Sequence, residues 1–329
     1  MSFPWTRLRR LRENSALRDL LTEHRLVAKE LIQPLFVKEG ISKSLPILSM
    51  PGQCQWSLDH VVQEAESLEM SGVTAALLFG VPAKKDRGGR RSFAKNGIVQ
   101  KTVSAIKKKC KRLLVFTDVC LCEYMSHGHC GHILKKQRAE WRLENDRTLK
   151  TLSRVALSHA EAGADVVAPS DMMDGRVRVI RETLDKNGFK MTPLLSYAVK
   201  YASAYYAPFR EAAESAPEFG DRGSYQMNAA NRREALREAR ADLEEGADML
   251  LVKPALGYSD ILWELKQKIH SPIGVYSVSG EYSMIKAAAK NGWLDEKKTV
   301  LESHLSLKRA GADFIVTYWA KDLQKWLKK

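Results

Sequence analysis

The chain has 329 residues, 44% of them hydrophobic, and a formal net charge of +14. That length buries one large core and permits one domain or two, and no run approaches the ~20 apolar residues needed to cross a bilayer, so no membrane-spanning role is expected. The charge fits nucleic acid, an anionic surface, anionic small molecules or simply a basic solvated exterior. Its clusters, Lys84 to Arg91, Lys107 to Arg112 and Lys135 to Arg138, lack the interleaved aromatics of a base-stacking surface, so no nucleic-acid partner is expected.

The first residues, MSFPWTRLRRLRENSALRDLLTEHRL, carry arginines without an apolar signal core, and Glu13, Asp19 and Glu23 argue against an organelle presequence. Together with five cysteines that suit a reducing compartment better than a disulfide framework, this reads as a cytoplasmic protein. Residues 1–30 are expected to form an arm outside the main domain, able to clasp a neighbouring subunit, and residues 31–329 the domain itself.

Eight short apolar runs follow, beginning near Leu31, Val73, Arg112, Ala164, Thr192, Asp248, Pro272 and Ala312. Being continuous rather than alternating, they read as parallel strands buried on both faces. Helical patterns such as LDHVVQEAESLEM and NRREALREARADLEE lie between most of them. Three runs share a lead-in, EAGAD, EEGAD and RAGAD, whose glycine can end the preceding helix in the left-handed conformation. Eight strand and helix alternations predict an α/β fold, a (β/α)8 TIM barrel with an N-terminal extension. No G-x-G-x-x-G fingerprint follows the first strand, which weakens a doubly wound alternative.

In such a barrel the active site forms at the C-terminal ends of the strands. There the sequence offers Asp118 with Cys120, Cys122 and Cys130, then Ser170 and Asp171, Lys200, Lys253, Ser279 and Tyr318. Three thiols at the end of an apolar run read as a zinc site. It is open for catalysis if only the thiols bind, and closed and structural if His127 or His129 completes it.

Lys200 and Lys253 sit among apolar and aromatic neighbours, where burial disfavours the ammonium form. From an ordinary pKa near 10.4, only about one amine in 2,500 is neutral at pH 7, so a nucleophilic lysine needs its pKa lowered by roughly three, worth about 4 kcal/mol. Two such lysines in one mouth lower each other's pKa and are suited to Schiff-base chemistry. The plainer reading has each reaching solvent or pairing with a carboxylate such as Asp118. After Lys200 come about thirty residues rich in aromatics, Gly and Pro, the pattern of a lid. On it, Arg210, Arg222 and Gln226 offer a carboxylate clamp, unless the arginines merely pair with Glu211, Glu214 or Asp221.

The segments DVCLCEYMSHGHCG, VAPSDMMDGRV, SYAVKYASAYYAPFR, GDRGSYQMN, LLVKPALGYSDI and YSVSGEY closely resemble the porphobilinogen synthase (5-aminolaevulinate dehydratase) family over nearly the whole chain. The resemblance implies a barrel, a homo-octamer with embracing N-terminal arms, and the condensation of two 5-aminolaevulinate molecules to porphobilinogen in tetrapyrrole (haem) biosynthesis. By motif, Lys253 and Lys200 resemble the Schiff-base lysines of the propionate and acetate sides. Ser279 and Tyr318 resemble the propionate-side carboxylate ligands, and Arg210, Arg222 and Gln226 the acetate-side clamp. Asp118 and Ser170 resemble nearby polar or proton-handling groups. Cys120, Cys122 and Cys130 resemble the zinc-dependent branch, in which the metal helps bind the second substrate. Glu238 matches a position that holds an allosteric magnesium in some members, although a helical glutamate among arginines also suits a plain ion pair.

Three features depart from the family's pattern: Met125 in place of threonine, Ala207 in place of glycine, and a longer, more basic stretch after Gly131. Two other readings stay open at this stage. One is a class I Schiff-base aldolase with a structural zinc. The other is a basic, zinc-containing RNA-binding protein.

Overall fold

The computed structural model describes residues 2–135 and 141–328. Residues 136–140 of the basic stretch after Gly131, including Lys136 to Arg138, therefore lie outside the described residues. Eight parallel strands form the centre: β1 (Leu31–Lys38), β2 (Ala75–Val81), β3 (Leu114–Val119), β4 (Val166–Pro169), β5 (Leu195–Lys200), β6 (Met249–Lys253), β7 (Ile273–Ser277) and β8 (Ile315–Thr317). Each pairs with its neighbours in sequence and β8 returns to β1. A parallel bridge from Val167 to Leu194 joins β4 to β5 and completes the circuit. All seven residues of β2 are buried, as are those of β4, β5 and β7. This burial on both faces is why the runs lack alternation.

The GAD repeats do more than end helices. Gly163, Gly246 and Gly311 adopt φ of 100°, 104° and 111°, and the aspartate two residues on then accepts a backbone N–H from the neighbouring strand. Asp165 takes the amide of Val115, Asp248 that of Leu194 and Asp313 that of Ile273, each at 2.7 Å. These are first or near-first residues of their strands, so the carboxylates satisfy donors at the N-terminal face that the ladder leaves over. Lys107 and Lys266 neutralise Asp165 and Asp313 at 2.8 Å.

Helices cover the barrel, each burying one stripe. Leu58–Ser71, for example, starts at a Ser57 cap, turns Val61, Ala65 and Leu68 inward and stops at left-handed Gly72. Before β1 lie only short helical pieces, Leu8–Leu11, Ser15–Leu20 and Ala28–Glu30, and the side chains of Phe3, Trp5, Leu8 and Leu11 are exposed. Among the described residues no helix is long and apolar enough to cross a membrane.

Candidate active site

Lys200 and Lys253 end adjacent strands and stand opposite each other in the β5–β6 register. Each is only 4% exposed, so neither reaches out to solvent, and neither forms an ion pair with a carboxylate among the described residues. The Lys253 amine lies 4.3 Å from the ring centre of Tyr276, 4.7 Å from Phe209, and 5.3 Å from both Tyr197 and Tyr206. Burial, reinforced by the positive charge of Lys200, pulls its pKa down to about 7. Lys200 donates instead to the backbone carbonyl of Ser170 at the end of β4.

Beside the lysines, the three thiols converge. Cys120, Cys122 and Cys130 are buried and unbridged, their sulfurs lie within 4.8 Å of one another, and Cys120 Sγ is 3.4 Å from Cys122 Sγ. Tetrahedral zinc with Zn–S bonds of about 2.3 Å wants sulfurs roughly 3.8 Å apart, so the set fits such an ion with small adjustments. Hydrogen bonds from Cys120 and Cys122, with Arg222 nearby, hold the Cys130 thiol well below its ordinary pKa. No histidine joins the cluster among the described residues. His129 has both ring nitrogens engaged elsewhere, with Phe219 O at 2.9 Å and Tyr225 Oη at 3.2 Å, and His127 Nδ1 accepts the His129 amide at 3.1 Å. Among the described residues the three thiols therefore converge without a histidine.

Asp118, on β3, completes a second grouping with Cys120 and Glu123. Burial and the neighbouring Glu123 raise the Asp118 pKa well above its usual value, while a hydrogen bond from Ser170 opposes this. Asp118 Oδ1, both Glu123 oxygens and both polar atoms of the Gln226 amide are buried without a partner. Buried polar groups are normally satisfied. Asp118 and Glu123 thus bring unpartnered buried oxygens to the edge of the thiol cluster.

The model of the delta-aminolevulinic acid dehydratase family matches residues 5–326. This chain belongs to that family. A Synechocystis delta-aminolevulinic acid dehydratase is 52% identical over 325 residues, covering 99% of each chain, and that of Methanothermus sociabilis is 54% identical over 323 residues, covering 98% of this chain and 99% of its own. The fold matches a crystal structure of the Toxoplasma gondii delta-aminolevulinic acid dehydratase (porphobilinogen synthase) in complex with its reaction product porphobilinogen. The TM-score is 0.94 at 44% identity, over 98% of this chain and 91% of that one.

In this dehydratase-family chain the segment expected to act as a lid, residues 201–230, carries helical pieces at Ala204–Tyr206 and Ala207–Ala212. Arg222, 5% exposed, makes no ion pair among the described residues; it donates to the carbonyls of Ser215 (2.7 Å) and Gly128 (3.0 Å). Arg210 is half-buried, and burial together with Arg222 lowers its pKa. Ser279 accepts the Phe209 amide at 2.9 Å and donates to Tyr205 O at 3.3 Å, so the lid backbone engages this hydroxyl. Tyr318 Oη meets Tyr276 Oη at 3.0 Å. Of the departures noted in the sequence, Ala207 is exposed, whereas Met125, within the cysteine loop, is fully buried.

Glu238 stands apart. It lines a cleft of about 400 Å³ with Asn145, Asp174, Glu234 and the flank of Gln226, does not join the cysteine cluster, and makes no ion pair within 4.0 Å among the described residues. Sequence reasoning missed Glu123 and the aromatic lining of Lys253. Glu123 sits in the cysteine motif itself, where an acid beside thiols was a readable signal. The rings come from three separate segments.

Proposed function

We propose that this chain condenses two molecules of 5-aminolaevulinate into porphobilinogen, releasing two waters, in tetrapyrrole biosynthesis. The observation that carries this reading is the placement of two buried amines and a three-thiol cluster in one barrel mouth of a chain belonging to this family. A single-lysine aldolase leaves the second amine unexplained. An RNA-binding role leaves both unexplained.

In this proposal the neutral Lys253 amine attacks the keto carbon of the first substrate and water leaves, giving a protonated imine that draws electrons from the adjacent carbon. Lys200 forms the corresponding imine with the second substrate. Asp118, whose pKa burial raises well above the usual carboxylate value, serves as a proton donor within the closed mouth, and the Ser170 hydroxyl orients it. Ser279 and Tyr318 bind the first carboxylate; Arg210, Arg222 and Gln226 bind the second. Cys120, Cys122 and Cys130 would hold zinc, which when bound supplies Lewis-acid polarisation or keeps a substrate amine neutral. Holding both substrates side by side makes bond formation effectively intramolecular.

The same reading includes an octamer in which residues 1–30 pack on a neighbouring copy, supported by the uncovered Phe3, Trp5, Leu8 and Leu11. It includes magnesium at Glu238, supported by the acidic cleft around it, and a cytoplasmic setting that keeps the thiols reduced. A colorimetric porphobilinogen assay with and without a zinc chelator tests function and metal together. Turnover that is absent, or unaffected by complete zinc removal, overturns the reading.

A further inference from the structure

The stretch between the second and third cysteines is where the lid comes to rest. Three consecutive residues there each bind it. His127 O accepts the backbone amide of Glu218 at 3.1 Å. Gly128 O accepts from Arg222, which simultaneously holds the lid's own Ser215 carbonyl. His129 reaches Phe219 O and Tyr225 Oη. Because a carbonyl only accepts, the ring must donate from Nε2 to Phe219 and accept at Nδ1 from Tyr225, one neutral tautomer serving both.

Packing reinforces the hydrogen bonds. The His129 ring centre lies 4.2 Å from that of Trp141 and 5.0 Å from that of Phe219, and Gly220 closes against Trp141. Gly128 has φ of 70°, and a Cβ there would run into the Ala216 carbonyl group. The close approach of two backbones thus requires glycine on steric as well as conformational grounds.

We infer that residues 127–129 are positioning residues for the lid, so that metal binding at the flanking cysteines and closure of residues 215–226 are one coupled event. This rests on the proposal that Cys120, Cys122 and Cys130 hold zinc. A loop pinned at Cys122 and Cys130 offers the lid a fixed seat; a loop released there offers a moving one, and the lid's contacts cannot all form at once. Linkage runs both ways, so loosening the lid must weaken the metal by the same factor. Arg222 joins the two sides, which places part of the substrate clamp under the same control.

The test is hydrogen exchange by mass spectrometry on the full-length protein, zinc-loaded and zinc-stripped, read on peptides spanning 215–226 and independent of turnover. Stripping is expected to speed exchange of the Glu218 and Gln226 amides by about tenfold or more. Unchanged lid exchange, with loosening confined to residues 120–132, overturns the inference. The reciprocal arm uses Phe219→Ala, which trims the lid side without touching a cysteine. Zinc affinity by chelator competition is expected to fall by about fivefold or more, and unaltered affinity in a variant whose lid exchanges faster overturns the coupling. Failure of the zinc reading itself is distinct, since it appears as no stoichiometric zinc in the unmodified protein.

Discussion

Lys200 and Lys253 occupy the same level of adjacent strands, yet their surroundings differ in kind. Lys253 faces four aromatic rings. Ring faces attract an ammonium by about 0.5–2 kcal/mol each at best, but they offer no lone pair to replace lost water, and desolvation together with Lys200 wins, leaving a pKa of about 7. Lys200 has a fixed acceptor, the Ser170 carbonyl, and only the Tyr197 ring near it, at 5.8 Å, while the charge of both amines reaches Asp118. The contrast teaches that one residue type serves two purposes here. On the proposed mechanism the aromatic side makes a nucleophile ready in advance, whereas the other side holds its amine on a backbone carbonyl. The first substrate is then expected to load on Lys253.

The largest expected effect breaks the aromatic side. Lys253→Ala removes the primed amine, and porphobilinogen formation should fall by roughly 10⁴-fold or more, as when a covalent nucleophile is lost. In the unmodified protein, borohydride trapping with aminolaevulinate followed by peptide mapping should place the label on Lys253. Substantial turnover in this variant would transfer the leading role to Lys200. Breaking the other side is expected to cost somewhat less. Cys122→Ser should remove a metal ligand and lower turnover by about 10³-fold, while borohydride labelling of Lys253 continues. Loss of both signals together would mean that the cysteines support the whole mouth rather than one half of it.

The two halves also differ in how much of them could be read from the chain. Strands buried on both faces produce unbroken apolar runs, so the barrel was visible, and a lysine inside such a run, as in MLLVKPAL, is visible for the same reason. Three cysteines within eleven residues likewise announce themselves. The lining of Lys253 was hidden because Tyr197, Tyr206, Phe209 and Tyr276 belong to β5, the lid and β7 and meet only after the barrel closes. His129 shows a different limit. Its spacing suits a metal ligand, but spacing does not say which way a ring turns, and this one turns to Phe219 and Tyr225. The GAD aspartates were hidden similarly, since each serves a strand distant in sequence.

Within the lid, the comparison sharpens to two arginines. Arg222 is buried and hydrogen-bonded to two carbonyls, while Arg210 is half-buried; the Nε of each is unpartnered. Arg222→Ala loses both substrate contact and lid seating and should raise KM by about 10- to 100-fold with a fall in kcat. Arg210→Ala loses contact alone, and its KM should rise by about tenfold or less. Equal effects, or a larger one at Arg210, would contradict the division.

The smallest effect tests the coupling between the two amines. Below about pH 7 Lys253 is mostly ammonium and cannot attack a carbonyl, so imine formation should rise with pH through about 7 and then level off. Lys200→Met keeps the side chain's bulk but removes its charge. Because that charge disfavours the Lys253 ammonium, its removal raises the Lys253 pKa back toward the ordinary lysine value, and the inflection should move up by about one pH unit. At pH 6 the rate of borohydride-trapped labelling at Lys253 should then be about tenfold lower than in the unmodified protein, with little difference at high pH. Turnover is unsuitable here, since Lys200 has its own substrate; trapping at Lys253 isolates the first step. An unmoved inflection would assign the whole depression to burial among the rings, and the two sides of the mouth would then act as independent sites rather than as a pair.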